Sequence, residues 1–186
     1  MRGLRLLNQK VRKPLHGGLT LLELLITLAI LSIVLGAGVP TMLDLARETR
    51  LRGAAQETYG LLQYARSDAL RAGEDRFVVW SVADGQWCAV VATTNNCNCF
   101  TDDCSIDSVL RQQQGSDFAD INLPEANFAA GAYTRFDGLR GLANGNAGSV
   151  RYQLAINGGP ELRVVVSALG RLRYCRVGDI SGYPEC

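Results

Sequence analysis

One histidine in 186 residues leaves little of the usual catalytic and metal-binding repertoire. That residue, His16, precedes a long apolar run, and no imidazole follows it. Beyond that point Ser/His/Asp and Cys/His nucleophilic schemes and histidine-ligated metals are excluded. Lysine is as scarce: Lys10 and Lys13 stand in the first eighteen residues and none comes after. Arginine is then the sole phosphate ligand among the long cationic side chains of the remaining chain. No internal repeat is present. The length is that of one ordinary domain with a short extra segment, and an apolar content of 47% suffices for a core and excludes a collagenous or low-complexity class. The net charge of +1 argues against a wholesale nucleic-acid binder and against a disordered acidic tail.

Acid is absent from residues 1–18, which carry Arg2, Arg5, Lys10, Arg12 and Lys13. The apolar stretch Leu19–Pro40 follows. As a helix at about 1.5 Å per residue it would span about 33 Å, enough for a hydrocarbon core of about 30 Å. A basic block before it and none comparable after it places the N-terminus in the cytoplasm and the remainder outside. The run is longer than a secretory signal and no A-x-A site closes it, so it is read as a retained anchor. Glu23 lies inside this run, where an unpaired carboxylate costs a few kcal/mol. Either it sits near the interface and is tolerated, or a positive partner comes from another chain or from an amino terminus newly made by proteolysis.

Gly17-Gly18-Leu19-Thr20-Leu21-Leu22-Glu23, behind a short basic leader, resembles the class III signal of type IV pilins and type II secretion pseudopilins. The resemblance implies cleavage after Gly18 by a membrane-bound prepilin peptidase and N-methylation of Leu19. It also implies that Glu23 neutralises the terminal amine of a neighbouring subunit during filament assembly, the partner the segment itself lacks. Leu19 stands where the family usually has phenylalanine. Pro40 falls where pilins commonly carry proline. Gly36, Gly38 and Pro40 all weaken a helix, which suits a segment that bends or melts when packed in a filament.

After Pro40 the pattern is amphipathic. Leu43, Ala46, Leu51, Ala54, Ala55, Leu61, Leu62, Ala65 and Ala69 recur at helical spacing, with Arg47, Glu48, Arg52, Gln56, Arg66 and Asp68 between them, up to a stop at Gly73. From Arg76 the period is two. Asp84-Gly85 between two apolar runs predicts a hairpin, and further strands are expected at 108–112, 133–136, 150–155, 162–168 and 171–175. Asn157-Gly158-Gly159 and Leu169-Gly170 mark turns. The expected organisation is a cleaved leader at 1–18, a transmembrane helix at 19–40, its amphipathic continuation at 41–73 and a β-rich periplasmic domain at 74–186. The fold class is α+β, pilin-like, with a long N-terminal helix packed on a mostly antiparallel sheet.

Asp102-Asp103, with Asp107 nearby, lacks the spacing of a calcium loop and is most simply a solvated turn. The chain is expected not to be an enzyme and to need no cofactor. Cys88, Cys97, Cys99, Cys104, Cys175 and Cys186 all fall outside the membrane, where an even count favours disulfides. A four-thiolate zinc site from the first four is the alternative, against which stands the lack of C-x-x-C spacing. Cys175 with Cys186 is the favoured pair, because the two bracket a Gly/Pro-containing tail; such a short loop stabilises by about 2–3 kcal/mol in the chain-entropy model.

Gly170-Arg171-Leu172-Arg173-Tyr174-Cys175-Arg176 is the most informative local feature. In a strand Arg171 and Arg173 share a face about 7 Å apart, and no acid falls between Glu161 and Asp179. A fork of guanidiniums suits phosphate oxygens, although alternating arginines on a solvated strand are common. The quartet before a C-terminal cysteine pair resembles the G-R-x-R motif of the GspH/FimT family of minor pilins, in whose FimT branch the arginines bind DNA during natural transformation. The resemblance implies a minor pilin, in or at the tip of a pilus, that binds DNA without sequence preference through Arg171 and Arg173. Arg176 is added as a third contact on its proximity alone. Prepilin peptidase, other pilin subunits, DNA and the inner membrane are the implied partners. A structural pseudopilin of type II secretion and a minor pilin that only primes assembly share leader, anchor and fold. Loss of the leader would remove five positive charges and no negative one, leaving 14 arginines against 18 acids and a net charge of −4. Any contact with DNA must then be local.

Overall fold

The computed structural model describes residues 18, 20–122, 124–155 and 159–186. Leu19 and the turn residues Asn157 and Gly158 lie outside that description. The chain forms two compact units, 1–42 and 43–186. One helix, α1 (Leu21–Ala72), belongs to both. Gly36, Gly38 and Pro40 all fall within it.

In the first unit the helix begins at a cap. Thr20 Oγ1 accepts a hydrogen bond from the Glu23 backbone N–H at 3.1 Å, so Thr20 is the N-cap and Glu23 lies in the first turn, where a carboxylate favours the positive end of the helix. Thr-x-x-Glu is the spacing of a capping box, a local reason for Glu23 independent of any partner. Leu21, Leu22, Leu24, Leu25 and Ile26 are exposed. Among the described residues no helix is long and apolar enough to cross a membrane. The expected span 19–40 includes Leu19 and the side chains of 37, 38 and 40, which lie outside the description.

In the second unit Leu51, Ala54, Ala55, Thr58, Leu62, Ala65 and Ala69 are fully buried at three- and four-residue steps, a stripe whose alanines let sheet side chains approach the helix closely. Leu43 and Ala46, placed on that stripe by periodicity, are exposed; the buried face starts at Leu51. Gly73 closes α1 at φ +70, its N–H bonded to Ala69 O at 2.9 Å, the left-handed cap that glycine accommodates.

Among the described residues eight strands follow: β1 (Arg76–Ala83), β2 (Gln86–Ala92), β3 (Gln112–Gln114), β4 (Glu125–Phe128), β5 (Tyr133–Phe136), β6 (Gly148–Gln153), β7 (Glu161–Val166) and β8 (Leu172–Val177). They pair antiparallel in two sheets, β3-β2-β1-β5 and β4-β6-β7-β8. Asp84-Gly85 forms the two-residue hairpin turn, both residues at positive φ. The strand expected at 108–112 is absent. Asp107 and Ser108 adopt positive φ in a tight turn that pairs Ile106 with Val109, and pairing with β2 begins only at Gln112.

One core joins the α1 stripe to both sheets, with Val78, Trp80, Val91 and Phe136 from the first and Val150, Tyr152, Leu162 and Val164 from the second. A buried polar group crosses it. Thr58 Oγ1 lies 2.6 Å from both Gln113 Oε1 and Tyr152 Oη, and Gln113 Nε2 donates to Ala54 O at 2.9 Å. Burial pushes the Tyr152 phenol up to about 12. The opposite face of the first sheet is covered by the segment held by Cys88–Cys99 and Cys97–Cys104.

Candidate nucleic-acid interface

The arginine motif lies on the β7–β8 hairpin. Ser167 organises the turn: its N–H donates to Arg171 O at 2.9 Å, its carbonyl accepts from Gly170 N at 2.8 Å, and its hydroxyl accepts from Arg171 N at 3.0 Å. Gly170 takes φ +71, and a Cβ there would overlap the carbonyl oxygen of Gly141. That carbonyl also accepts from Arg66 Nε at 3.0 Å, so the glycine of the motif seats the hairpin against the 138–145 loop and α1.

Beyond the turn, Leu172 and Tyr174 pack on the core while Arg171 and Arg173 are exposed on the other side of the strand. Among the described residues neither guanidinium has a carboxylate within 4.0 Å. The arginines of the neighbouring strands β6 and β7 are engaged. Arg163 pairs with Glu161 at 3.3 Å, and Arg151 pairs with Glu161 at 3.3 Å and with Glu125. Although no acid lies between 162 and 178, Arg163 is compensated, because Glu161, two residues away on the same strand face, meets it.

Arg176 is set apart from the pair. Three residues beyond Arg173, it lies on the opposite face of β8 and serves the C-terminal loop. Its Nε donates to Tyr183 O at 3.0 Å, Nη1 to Gly178 O at 2.6 Å and Nη2 to Glu185 Oε1 at 3.2 Å. Strand alternation separates Arg176 from Arg171 and Arg173 despite its proximity in sequence. Cys175 bonds Cys186, Arg176 N–H donates to Pro184 O at 2.8 Å and Cys186 N–H to Arg176 O at 3.1 Å, and Ile180 is fully buried. Tyr183 packs edge-on against Tyr174, which stacks on Tyr59 at 4.8 Å between centroids; burial pushes the Tyr174 phenol up to about 12. Replacing Cys175 and Cys186 together by serine is expected to lower stability by about 2–3 kcal/mol, measured by denaturant unfolding of the full chain in detergent. An unchanged midpoint would show the hydrogen bonds alone hold the loop.

The remaining sequence candidates are local. Gly18 is exposed and precedes the Thr20 cap, Leu19 lies outside the described residues, and Glu23 occupies the first turn of α1. All six cysteines are bonded to one another, so none is left as a thiolate for the zinc alternative. Largely missed by sequence reading was the buried ion cluster at the end of α1. Arg76 and Asp68 are almost completely enclosed and bond at 2.7 Å; Arg71 reaches the second Asp68 oxygen at 2.6 Å.

A signal of the prepilin type, a capped N-terminal helix and an antiparallel two-sheet domain built on that helix define a pilin-type subunit. The chain belongs to the GspH/FimT-type minor pilin family. The family described as Type II transport protein GspH matches residues 54–170, and the prokaryotic N-terminal methylation motif matches residues 14–39. That motif is the mark of membrane-anchored pilins, and the family is one of structural subunits. The fold is similar to that of the type IV minor pilin FimU of Pseudomonas aeruginosa strain PAO1, at 20% identity over 67% of this chain and 87% of that one, with a TM-score of 0.50. No curated protein matches the chain significantly.

Proposed function

We propose that this chain is a minor subunit of a type IV pilus that binds DNA through Arg171 and Arg173 for uptake in natural transformation. The observation that carries the reading is the pair of exposed guanidiniums at the start of β8, Arg171 just before it and Arg173 within it, with no carboxylate partner among the described residues. Arg176 supports them indirectly by holding the C-terminal loop. In this reading prepilin peptidase cuts between Gly18 and Leu19 and methylates Leu19. Glu23 pairs with the new amine of a neighbouring subunit. The 19–40 segment is a single span of the inner membrane, with the domain in the periplasm until assembly.

Binding of one subunit to duplex should be weak and independent of sequence, with Kd about 10⁻⁴–10⁻⁶ M. Each neutralised phosphate contributes about −0.9 to the slope of log affinity against log salt. Titration of labelled duplex with the full chain in detergent is expected to show R171A/R173A losing about 1.8 of that slope. Equal affinity and equal slope in wild type and variant would sink the DNA role.

The second reading is a structural pseudopilin of type II secretion. The description of the matching family favours it, and the match ends at Gly170, one residue before the arginines. A deletion strain separates the two: loss of DNA uptake with intact protein secretion supports the first, and the reverse supports the second.

A further inference from the structure

We propose that Arg140 is a third contact in the same site, so that the 137–142 loop and the β7–β8 hairpin together hold the phosphate backbone of DNA. The inference rests on the DNA reading of Arg171 and Arg173. It starts from the meeting of the two segments backbone to backbone, where a Cβ on Gly170 would overlap Gly141 O. Ala143 N–H also donates to Ala168 O at 3.0 Å. Arg140 precedes Gly141 and Arg171 follows Gly170, each one peptide unit, about 3.8 Å between Cα atoms, from that contact. Arginines far apart in sequence thus become neighbours.

The loop is built to hold its position. The Asp137 carboxylate accepts the N–H groups of Leu139, Arg140 and Leu142 at 3.1, 2.7 and 2.8 Å, and the Asp137 N–H donates to Leu142 O at 3.0 Å. The nearest acid to Arg140 in sequence is thereby engaged by backbone amides. Arg140 is exposed, and among the described residues its side chain has no hydrogen bond and no carboxylate within 4.0 Å. A loop already ordered loses little further entropy when it meets a ligand. Arg140, Arg171 and Arg173 then form a cationic edge on a chain whose charge after leader loss is −4, and an extended polyanion can engage all three.

The test uses the full chain in detergent, a labelled duplex and a salt titration. Three neutralised phosphates give a slope of about −2.7, R140A about −1.8 and R171A/R173A about −0.9; R140K keeps the wild-type slope. R111A, which removes an exposed arginine stacked on Tyr64, is expected to bind as wild type. A wild-type slope in R140A alongside a reduced one in R171A/R173A overturns the role of Arg140 and leaves the reading of the pair standing. Wild-type slopes in both overturn the pair as well. A loss in R111A equal to that in R140A shows attraction to total charge and overturns the site.

Discussion

Replacing Asp68 by asparagine is expected to lower the stability of the domain by about 3 kcal/mol, because it leaves the buried Arg76 guanidinium with only the exposed Glu74 carboxylate, at 3.1 Å, as counter-charge. Both side chains are under 5% exposed and bond at 2.7 Å. Burial by itself would push the Asp68 carboxyl up, but the hydrogen bonds from Arg76 and Arg71 outweigh it and hold the acid below its ordinary value. A depressed carboxyl stabilises the fold above its unfolded pKa of about 3.9, and that contribution disappears as pH falls through the lower folded value. Thermal unfolding of the full chain in detergent should show D68N melting roughly 10–15 °C below wild type at neutral pH, and the gap should narrow below about pH 4. A variant that melts with wild type at pH 7 would show that Glu74, not Asp68, is the counter-charge Arg76 needs.

Periodicity made most of α1 and the first hairpin legible, yet it concealed this cluster. Asp68 falls between apolar helical positions and reads as a solvated residue, and its partner Arg76 reads as the polar start of a strand. Only their meeting at the turn between α1 and β1, within hydrogen-bond reach across Gly73, removes both from water. The arginine patch shows the opposite case. Period-two alternation alone separates Arg176 from Arg171 and Arg173, and it sets Arg163 on the face of Glu161. That signal was present in the sequence and was outweighed by simple proximity. β4, with four residues and a single buried side chain, Phe128, carries no pattern strong enough to announce a strand. Arg140 could not have been joined to the motif at all, because the contact between Gly141 and Gly170 exists only in the folded chain.

Gly170→Ala is expected to cost about 3 kcal/mol and, if the proposed DNA site is real, to weaken duplex binding without removing a charge. A left-handed backbone costs a residue with a Cβ about 1–2 kcal/mol, and overlap with the carbonyl of Gly141 adds to that, because neither the oxygen nor the hairpin can withdraw without loosening the Arg66 hydrogen bond. The outcome differs from that of R171A. The charge variant keeps its melting temperature and loses salt slope. The glycine variant loses melting temperature first, and its salt slope falls only as far as the turn that aims Arg171 is displaced. Calorimetry and duplex titration on the same two samples distinguish them. A G170A chain that melts with wild type would show that the two loops are not in contact.

The disulfides over the first sheet carry a consequence for how the chain matures. Cys97 lies inside the loop closed by Cys88–Cys99, and Cys99 lies inside the loop closed by Cys97–Cys104, so the two rings interlock in sequence. Shorter loops close at lower entropic cost, and the pair Cys99–Cys104, absent from the native set, is closer in sequence than either native pair. Indiscriminate oxidation therefore captures non-native bonds that thiolate attack must exchange. Refolding of the reduced chain is therefore expected to give a higher yield of native pairing with an added disulfide isomerase than with oxidant alone.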